Sequence, residues 1–136
     1  MIVDTSAVIA VLADEPDRRL IQEAIDGARV VQISVASYLE AALVIDNRMP
    51  RGEMSPELDR FLRWARASIE PVTVTQATLA RSAHRRFGRG SGHPARLNYA
   101  DCFAYALAVD AGEPLLFKGD DFARTDVLRA LPPTGG

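Results

Sequence analysis

The sequence contains few of the residues that mark secreted, disulfide-stabilised or membrane-spanning proteins. Cys102 is the only cysteine among 136 residues, so no disulfide can form within the chain, and a reducing compartment is expected. No apolar run reaches the roughly 20 residues that a membrane-spanning helix needs. No basic segment precedes the first apolar residue, Ile2, as a signal peptide would require. We therefore expect a cytoplasmic protein without a membrane anchor.

An excess of basic charge is also absent. The net charge is −2 and the isoelectric point is about 5.7, so bulk charge does not indicate a nucleic-acid-binding protein. Lys118 is the only lysine among 16 basic residues, and the others are arginine, the better side chain for bidentate phosphate contacts. The two histidines, His84 and His93, show no zinc-ligand spacing with Cys102. A zinc site is therefore not expected.

Apolar residues make up 48% of the chain, which is enough for the core of one domain. Short apolar segments alternate with longer amphipathic ones along the chain. They predict strands at 2–3, 30–34, 72–74 and 115–117, helices at 7–13, 17–26, 38–45, 56–65, 75–87 and 98–111, and a short last helix capped by Thr125. This alternation is typical of an α/β protein, and we predict a three-layer α/β/α fold with a central parallel sheet. The domain should span residues 1–131, with a short flexible tail at 132–136.

Acidic residues follow two of the predicted strands. Asp4 closes the first strand, and Asp120 and Asp121 follow the fourth. Parallel strands end at the same edge of a sheet, and ligands of open α/β sheets bind at that edge. A single acid in such a turn is unremarkable. Two strand ends that both carry acids indicate a shared site.

Two further acids lie in the first turns of predicted helices. Glu40 belongs to an apolar helix and either faces a thin solvent-exposed stripe or points into a site. Asp101 has a simple alternative role, because with Asn98 as N-cap it takes the third helical position, where an acid favours the helix dipole. Helices that follow parallel strands begin near the carboxyl edge, so all four acids should converge there.

Converging carboxylates need a counter-charge. Two of them about 5 Å apart repel by roughly 3 kcal/mol at an effective dielectric constant near 20. Four would not be kept together without a cation, and an all-oxygen set of ligands suits Mg²⁺ or Mn²⁺. Thr5 and Ser6 lie beside Asp4 and either cap the first helix, the commoner role with Ser6 as N-cap, or contact a water molecule or phosphate.

Four motifs in this order resemble the PIN domain, and more narrowly the VapC-type toxins of bacterial toxin–antitoxin pairs. They are Asp4-Thr5-Ser6-Ala7, Glu40 in its helix, Asn98-Tyr99-Ala100-Asp101-Cys102 and the segment 115–122. The resemblance implies a Mg²⁺- or Mn²⁺-dependent endoribonuclease that cuts structured RNA such as tRNA or rRNA. It also implies a homodimer neutralised by a small VapB-like antitoxin.

The resemblance also implies which acids are catalytic metal ligands. Asp4, Glu40 and Asp101 match the family pattern directly. The fourth acid is Asp121, just before Phe122, with its neighbour Asp120 as the alternative.

Arginine is concentrated on one predicted helix and on the glycine-rich loop after it. This group contains Arg81, Arg85, Arg86, Arg89 and Arg96. Such a group is either a solvated surface or a set of RNA-phosphate contacts, and for Arg81 and Arg85 alone the solvated surface suffices. The flexible loop with flanking arginines favours phosphate contacts, and we predict RNA binding by Arg85, Arg86, Arg89 and Arg96.

Other protein classes were weighed. A receiver-like domain needs an acceptor Asp after a central strand, whereas Ser34 and Thr75 follow the second and third predicted strands. A phosphatase-like Mg²⁺ site needs Asp-x-Asp after the first strand, and the sixth residue is Ser6. A catalytically inactive interaction module would not be expected to keep all four acids.

Overall fold

The central sheet has four strands that all run parallel. The structure is a computed structural model that describes residues 1–133. The strands are β1 (Ile2–Val3), β2 (Val31–Ser34), β3 (Ala67–Glu70) and β4 (Leu115–Leu116), in the spatial order β3-β2-β1-β4. Ile2 pairs with Gln32 on one side and with Leu115 on the other, so β1 lies between β2 and β4. The ends of β1 and β4 are therefore adjacent.

Six α-helices cover the two faces of this sheet. They are α1 (Thr5–Leu12), α2 (Arg18–Asp26), α3 (Val35–Asp46), α4 (Glu57–Ala65), α5 (Val74–Phe87) and α6 (Asp101–Ala111), followed by a 3₁₀-helix at Phe122–Arg124. Successive side chains of a strand point to opposite faces. Val3 accordingly packs in a core with residues of α1, α2 and α4, whereas Ile2 packs with residues of α5 and α6. The predicted three-layer α/β/α fold is confirmed.

The third strand lies earlier in the chain than predicted. The β-branched segment Val72-Thr73-Val74 does not form it; Thr73 is instead the N-cap of α5, and its hydroxyl accepts a hydrogen bond from the Gln76 amide (3.1 Å). Arg66 ends α4 in the left-handed conformation (φ 53°) and turns the chain directly into β3. The prediction was wrong because a local pattern does not show which of two neighbouring segments reaches the edge of β2.

Two predicted helix starts were also wrong. Asp4, rather than Ser6, is the N-cap of α1. Thr125 does not begin a helix: it follows the 3₁₀-helix, where its hydroxyl donates to the Phe122 carbonyl (2.7 Å). Phe122 is buried in the core and determines where this turn lies.

No helix within residues 1–133 is long and apolar enough to cross a membrane. The predicted domain at 1–131 and tail at 132–136 stay predictions, and residues 134–136 of that tail lie outside the described residues.

Candidate active site

Asp4 lies at the carboxyl end of β1 and is almost fully buried, with 4% of its surface exposed. Its amide donates to the Leu116 carbonyl of β4 (2.9 Å). Its carboxylate accepts from the Ser6 amide (2.9 Å) and from the Ser6 hydroxyl (2.6 Å). Burial raises the pKa of Asp4, the hydrogen bonds from Ser6 oppose that rise, and the negative charge of Glu40 adds to it. The ionised form of Asp4 is thus disfavoured by its surroundings, and a nearby positive charge would stabilise it.

Ser6 connects the ends of two strands. Its hydroxyl donates to Asp4 and accepts from the backbone amide of Lys118, which follows β4 (3.0 Å). Thr5 is buried, and its hydroxyl donates to the Ser37 carbonyl of α3 (3.1 Å). Both hydroxyls therefore bind groups of the protein itself, and they position the start of α1 against β4 and α3.

Glu40 reaches the same region from α3. This helix begins immediately after β2, with Ser34 as its N-cap. Glu40 is half-buried, and its charge contributes to raising the pKa of both Asp4 and Asp101. Glu40 therefore lies within electrostatic reach of both acids and does not face only solvent.

Asp101 and Asn98 hold each other at the start of α6. The backbone amide of Asp101 donates to the side-chain oxygen of Asn98 (2.9 Å), and the backbone amide of Asn98 donates to the Asp101 carboxylate (3.0 Å). These reciprocal bonds close the turn that leads into α6. The helix itself begins at Asp101 with Ala100 as N-cap, so the predicted N-cap at Asn98 was wrong. Burial raises the pKa of Asp101 to about 6, against the hydrogen bond from Asn98 and with help from the charges of Asp4, Asp121 and Glu40. Asp101 thus begins a helix and also belongs to the group of acids.

Asp121 and Asp120 are both exposed, but they differ in their relation to the other acids. Asp121 directly precedes the 3₁₀-helix, and its charge contributes to the raised pKa of Asp101. Asp120 is not among the main groups that raise it. This difference supports Asp121 as the fourth member of the proposed acid cluster, which we define as Asp4, Glu40, Asp101 and Asp121.

The acid cluster has the composition of a site for a hard divalent cation. Within residues 1–133 none of its members forms an ion pair with a basic side chain, and no three acidic, imidazole or thiol side chains are already arranged as metal ligands. Lys118 does not neutralise the cluster, because its ammonium pairs with Glu15 (2.7 Å). The donors are all carboxylates; burial and then their mutual repulsion raise the pKa of Asp101, and a divalent cation would relieve that repulsion. This set of donors therefore suits a hard divalent cation.

The arginines predicted to bind RNA differ in their surroundings. Arg85, Arg89 and Arg96 are exposed. Arg86 is already engaged: it pairs with Asp126 (3.2 Å) and its guanidinium lies over the Phe87 ring at 4.6 Å. Three of the four predicted arginines are thus available to a ligand in the described part of the chain.

Sequence reasoning missed two features near the acids. The bridge from Ser6 to the Lys118 amide joins residues 112 positions apart, and nothing local signals it. The exposed Tyr99, between Asn98 and Asp101, lines a pocket with residues of α5. The aromatic Tyr99 among polar residues at the start of a helix could have indicated this pocket.

The chain matches known proteins over nearly its whole length. The PIN domain family model matches residues 1–128. Ribonuclease VapC28 of Mycobacterium tuberculosis is 53% identical over 131 residues, which are 96% of this chain and 98% of that one. Ribonuclease VapC of Mycolicibacterium smegmatis is 50% identical over 129 residues, covering 93% and 97%.

A solved structure agrees with the fold. The crystal structure of Mycobacterium tuberculosis VapC20, described as a sarcin-ricin loop cleaving toxin, has a TM-score of 0.70 over 97% of this chain and 98% of that one. Its sequence identity is 17%, so this likeness concerns the fold alone. The family match, together with relatives about half identical from end to end, shows that the chain belongs to the PIN domain family, in its VapC ribonuclease branch.

Proposed function

We propose that the protein is the toxin of a toxin–antitoxin pair and hydrolyses RNA phosphodiester bonds as a metal-dependent endoribonuclease. The observation that carries this proposal is the acid cluster at the carboxyl edge of the sheet, in a chain 53% identical to a VapC ribonuclease. The receiver-like, phosphatase-like and inactive-module alternatives are not favoured, because the relatives named ribonucleases match along nearly the whole chain. Membership of the VapC branch supports structured RNA, such as tRNA or rRNA, as the substrate.

The chemistry assigns a role to each acid. Asp4, Glu40, Asp101 and Asp121 would hold Mg²⁺ or Mn²⁺. When bound, such an ion supplies positive charge that stabilises the phosphate in the transition state and lowers the pKa of the attacking water. Ser6 fixes the Asp4 carboxylate by two hydrogen bonds, and Asn98 fixes that of Asp101 by one. Both carboxylates therefore keep their positions when RNA approaches.

The unneutralised acids also support control by a partner. A small VapB-like antitoxin would place a basic side chain among the carboxylates, where it replaces the charge of the metal and blocks RNA. The lone cysteine, Cys102, is buried and fits a reducing cytoplasm as the place of action. A homodimer is part of the proposal and is supported by the exposed apolar side chains of α3, Val35, Leu39 and Leu43.

Replacement of Asp4 by Asn tests the proposed activity. Asp4→Asn and Asp121→Asn should each lower the rate of cleavage of total bacterial tRNA and rRNA by about 100-fold or more, because each removes a charge that would bind the ion. Asp120→Asn, which removes the neighbouring charge, is the matched control and should remain active. Gel analysis of the cleavage ends, with and without EDTA, measures these rates.

Growth of cells that express each protein is a second measurement. The wild type should stop growth, and Asp4→Asn should not. Full cleavage by Asp4→Asn, or by the wild type in EDTA, contradicts the proposed mechanism.

A further inference from the structure

An open pocket of about 500 Å³ lies between α5 and the start of α6. Its apolar lining includes Ala77 and Ala80 of α5 and Cys102 of α6. None of the four members of the acid cluster lines it. The volume lies in the range of small-ligand sites. The pocket is therefore a separate concavity with room for one flat ring system.

Two aromatic rings form one wall of this pocket. Tyr99 is 78% exposed, far more than is usual for so large an aromatic side chain. Its ring meets the half-buried Phe103 ring edge to face, with centroids 4.9 Å apart and planes at 83°. Phe103 therefore supports Tyr99 from one side and leaves the rest of the tyrosine ring open. An exposed, supported aromatic ring is a platform on which a nucleobase stacks.

Two arginines form the facing wall. Arg81 and Arg85 are four residues apart on α5, so they lie on the same face of the helix, and His84 lies between them in the lining. Neither arginine pairs with an acid within residues 1–133. An apolar pocket with an aromatic wall and two unpaired guanidinium groups matches a base together with its phosphate.

The pocket also adjoins the acid cluster. Tyr99 lies between Asn98 and Asp101, which hold the start of α6. Cys102, which lines the pocket, directly follows Asp101 in the first turn of α6. The start of α6 therefore connects the pocket to the acid cluster, and a nucleotide in the pocket would direct its neighbour towards these acids.

We propose that this pocket binds one unpaired base of the RNA, stacked on Tyr99 with its phosphate at Arg81 and Arg85, and so presents an adjacent phosphodiester to the acid cluster. The inference rests on the proposed ribonuclease function and specifies its substrate as RNA with an unpaired base beside the cut. A base inside a duplex is stacked on both faces and is not available to Tyr99. Stacking accepts every base, so the pocket selects unpaired structure rather than one sequence.

Binding to a non-cleaving protein tests this proposal directly. The probe is a fluorescein-labelled single-stranded RNA of about 12 nucleotides, added to the Asp4→Asn protein with Mg²⁺ and followed by fluorescence anisotropy. Tyr99→Ala in this background should weaken binding about tenfold, which corresponds to about 1.4 kcal/mol. Tyr99→Trp should restore it. Trp64→Ala removes an exposed ring on α4 that lies in another pocket and should change nothing.

The duplex form of the same RNA separates base stacking from general attraction. Tyr99→Ala should leave duplex binding unchanged. Arg81→Gln should lower the slope of log affinity against log salt concentration for the single strand by about 0.7, whereas Arg63→Gln on α4 should not.

In the wild-type background, Tyr99→Ala should lower kcat/KM for tRNA cleavage about tenfold. The proposed base-binding role of the pocket is contradicted if Tyr99→Ala binds single-stranded RNA as tightly as its parent does. It is also contradicted if the substitution weakens binding of the single strand and of the duplex equally. Neither result contradicts the ribonuclease function. A wild-type protein that cleaves no RNA contradicts the proposed function. The binding measurements then still show whether the pocket binds an unpaired base.

Discussion

At the scale of the residue, burial and neighbouring negative charges disfavour the ionised form of Asp101. Burial, and to a lesser extent the charges of three other carboxylates, raises its pKa from 3.8 to about 6 against the hydrogen bond from Asn98. The folded protein therefore binds a proton on Asp101 between these two pH values, where the unfolded chain does not. Stability that this proton confers is present in acid and is lost as the pH rises through 6.

Asp101→Asn should reveal this loss. In metal-free protein the wild type should lose about 1 kcal/mol of unfolding free energy from this group as the pH rises from 4 to 7, because solvent screens a carboxylate that is only partly buried. The variant keeps an acceptor for the Asn98 amide and lacks the charge, so its dependence on pH should be flatter. Mg²⁺ should stabilise the wild type above pH 6 and help the variant little. Urea unfolding at several pH values measures both effects.

The matched control is Asp120→Asn, which should behave like the wild type because Asp120 is not among the main groups that raise the pKa of Asp101. If Asp101 served only as a cap, Asn would cost up to about 1 kcal/mol at every pH and the response to Mg²⁺ would stay intact. That result would remove Asp101 from the metal ligands.

At the scale of the element, the arginines of α5 and of the loop after it differ in whether they form an ion pair. Arg86 forms an ion pair with Asp126, and Asp126 also accepts a hydrogen bond from the Tyr105 hydroxyl (2.7 Å). Burial, together with the hydrogen bond to Asp126, raises the pKa of Tyr105 to about 12. The hydrogen bonds from Tyr105 and Arg86 lower the pKa of Asp126 against the effect of its burial. Arg89, three residues further on, is exposed and has no such partner in the described chain. The two arginines should therefore respond differently to neutralisation.

Arg89→Gln and Arg86→Gln form the matched pair for RNA binding. Arg89→Gln should reduce the salt dependence of RNA affinity by nearly one unit of slope and leave stability unchanged. Arg86→Gln should lower the melting temperature, because it breaks the Asp126 network, and should affect the slope less. Binding titrations at several salt concentrations and thermal melts give both quantities. An unchanged slope for Arg89→Gln would identify it as part of a solvated surface.

At the scale of the whole molecule, one helix face is left uncovered. Val35, Leu39 and Leu43 lie four residues apart along α3, and they are 41%, 55% and 62% exposed. Residues at this spacing form one stripe on a helix. A row of exposed aliphatic side chains is typical of an interface between proteins. This stripe supports the proposed homodimer.

Leu39→Glu combined with Leu43→Glu should produce a monomer. Light scattering should give twice the chain mass of 14.8 kDa for the wild type and a single chain mass for the double variant. Leu128→Glu is the control, because Leu128 is equally exposed but lies far along the chain near β4. A monomeric wild type, or a dimer that survives both substitutions, would contradict this assignment of the interface.

Much of the site could be predicted because strand direction is a property of chain order. Alternating strands and helices impose a parallel sheet, and a parallel sheet brings the ends of β1 and β4 to one edge. The positions of Asp4 and Asp121 follow from this rule. The approach of Glu40 follows from α3, which begins where β2 ends. The start of α6 follows α5 and a loop rather than a strand, so chain order alone does not place Asp101.

Other features were decided only by the tertiary structure. Val72-Thr73-Val74 has the composition of a strand, yet Ala67–Glu70 pairs with β2 because α4 ends immediately before it. The Lys118 amide donates to the Ser6 hydroxyl only because α1 begins beside the end of β4. Tyr99 and Arg81 line one pocket only because α5 packs against α6. Local preference and chain order determine which elements form and which strand ends meet. Contacts between side chains far apart in sequence depend on how whole elements pack, and no local pattern encodes that.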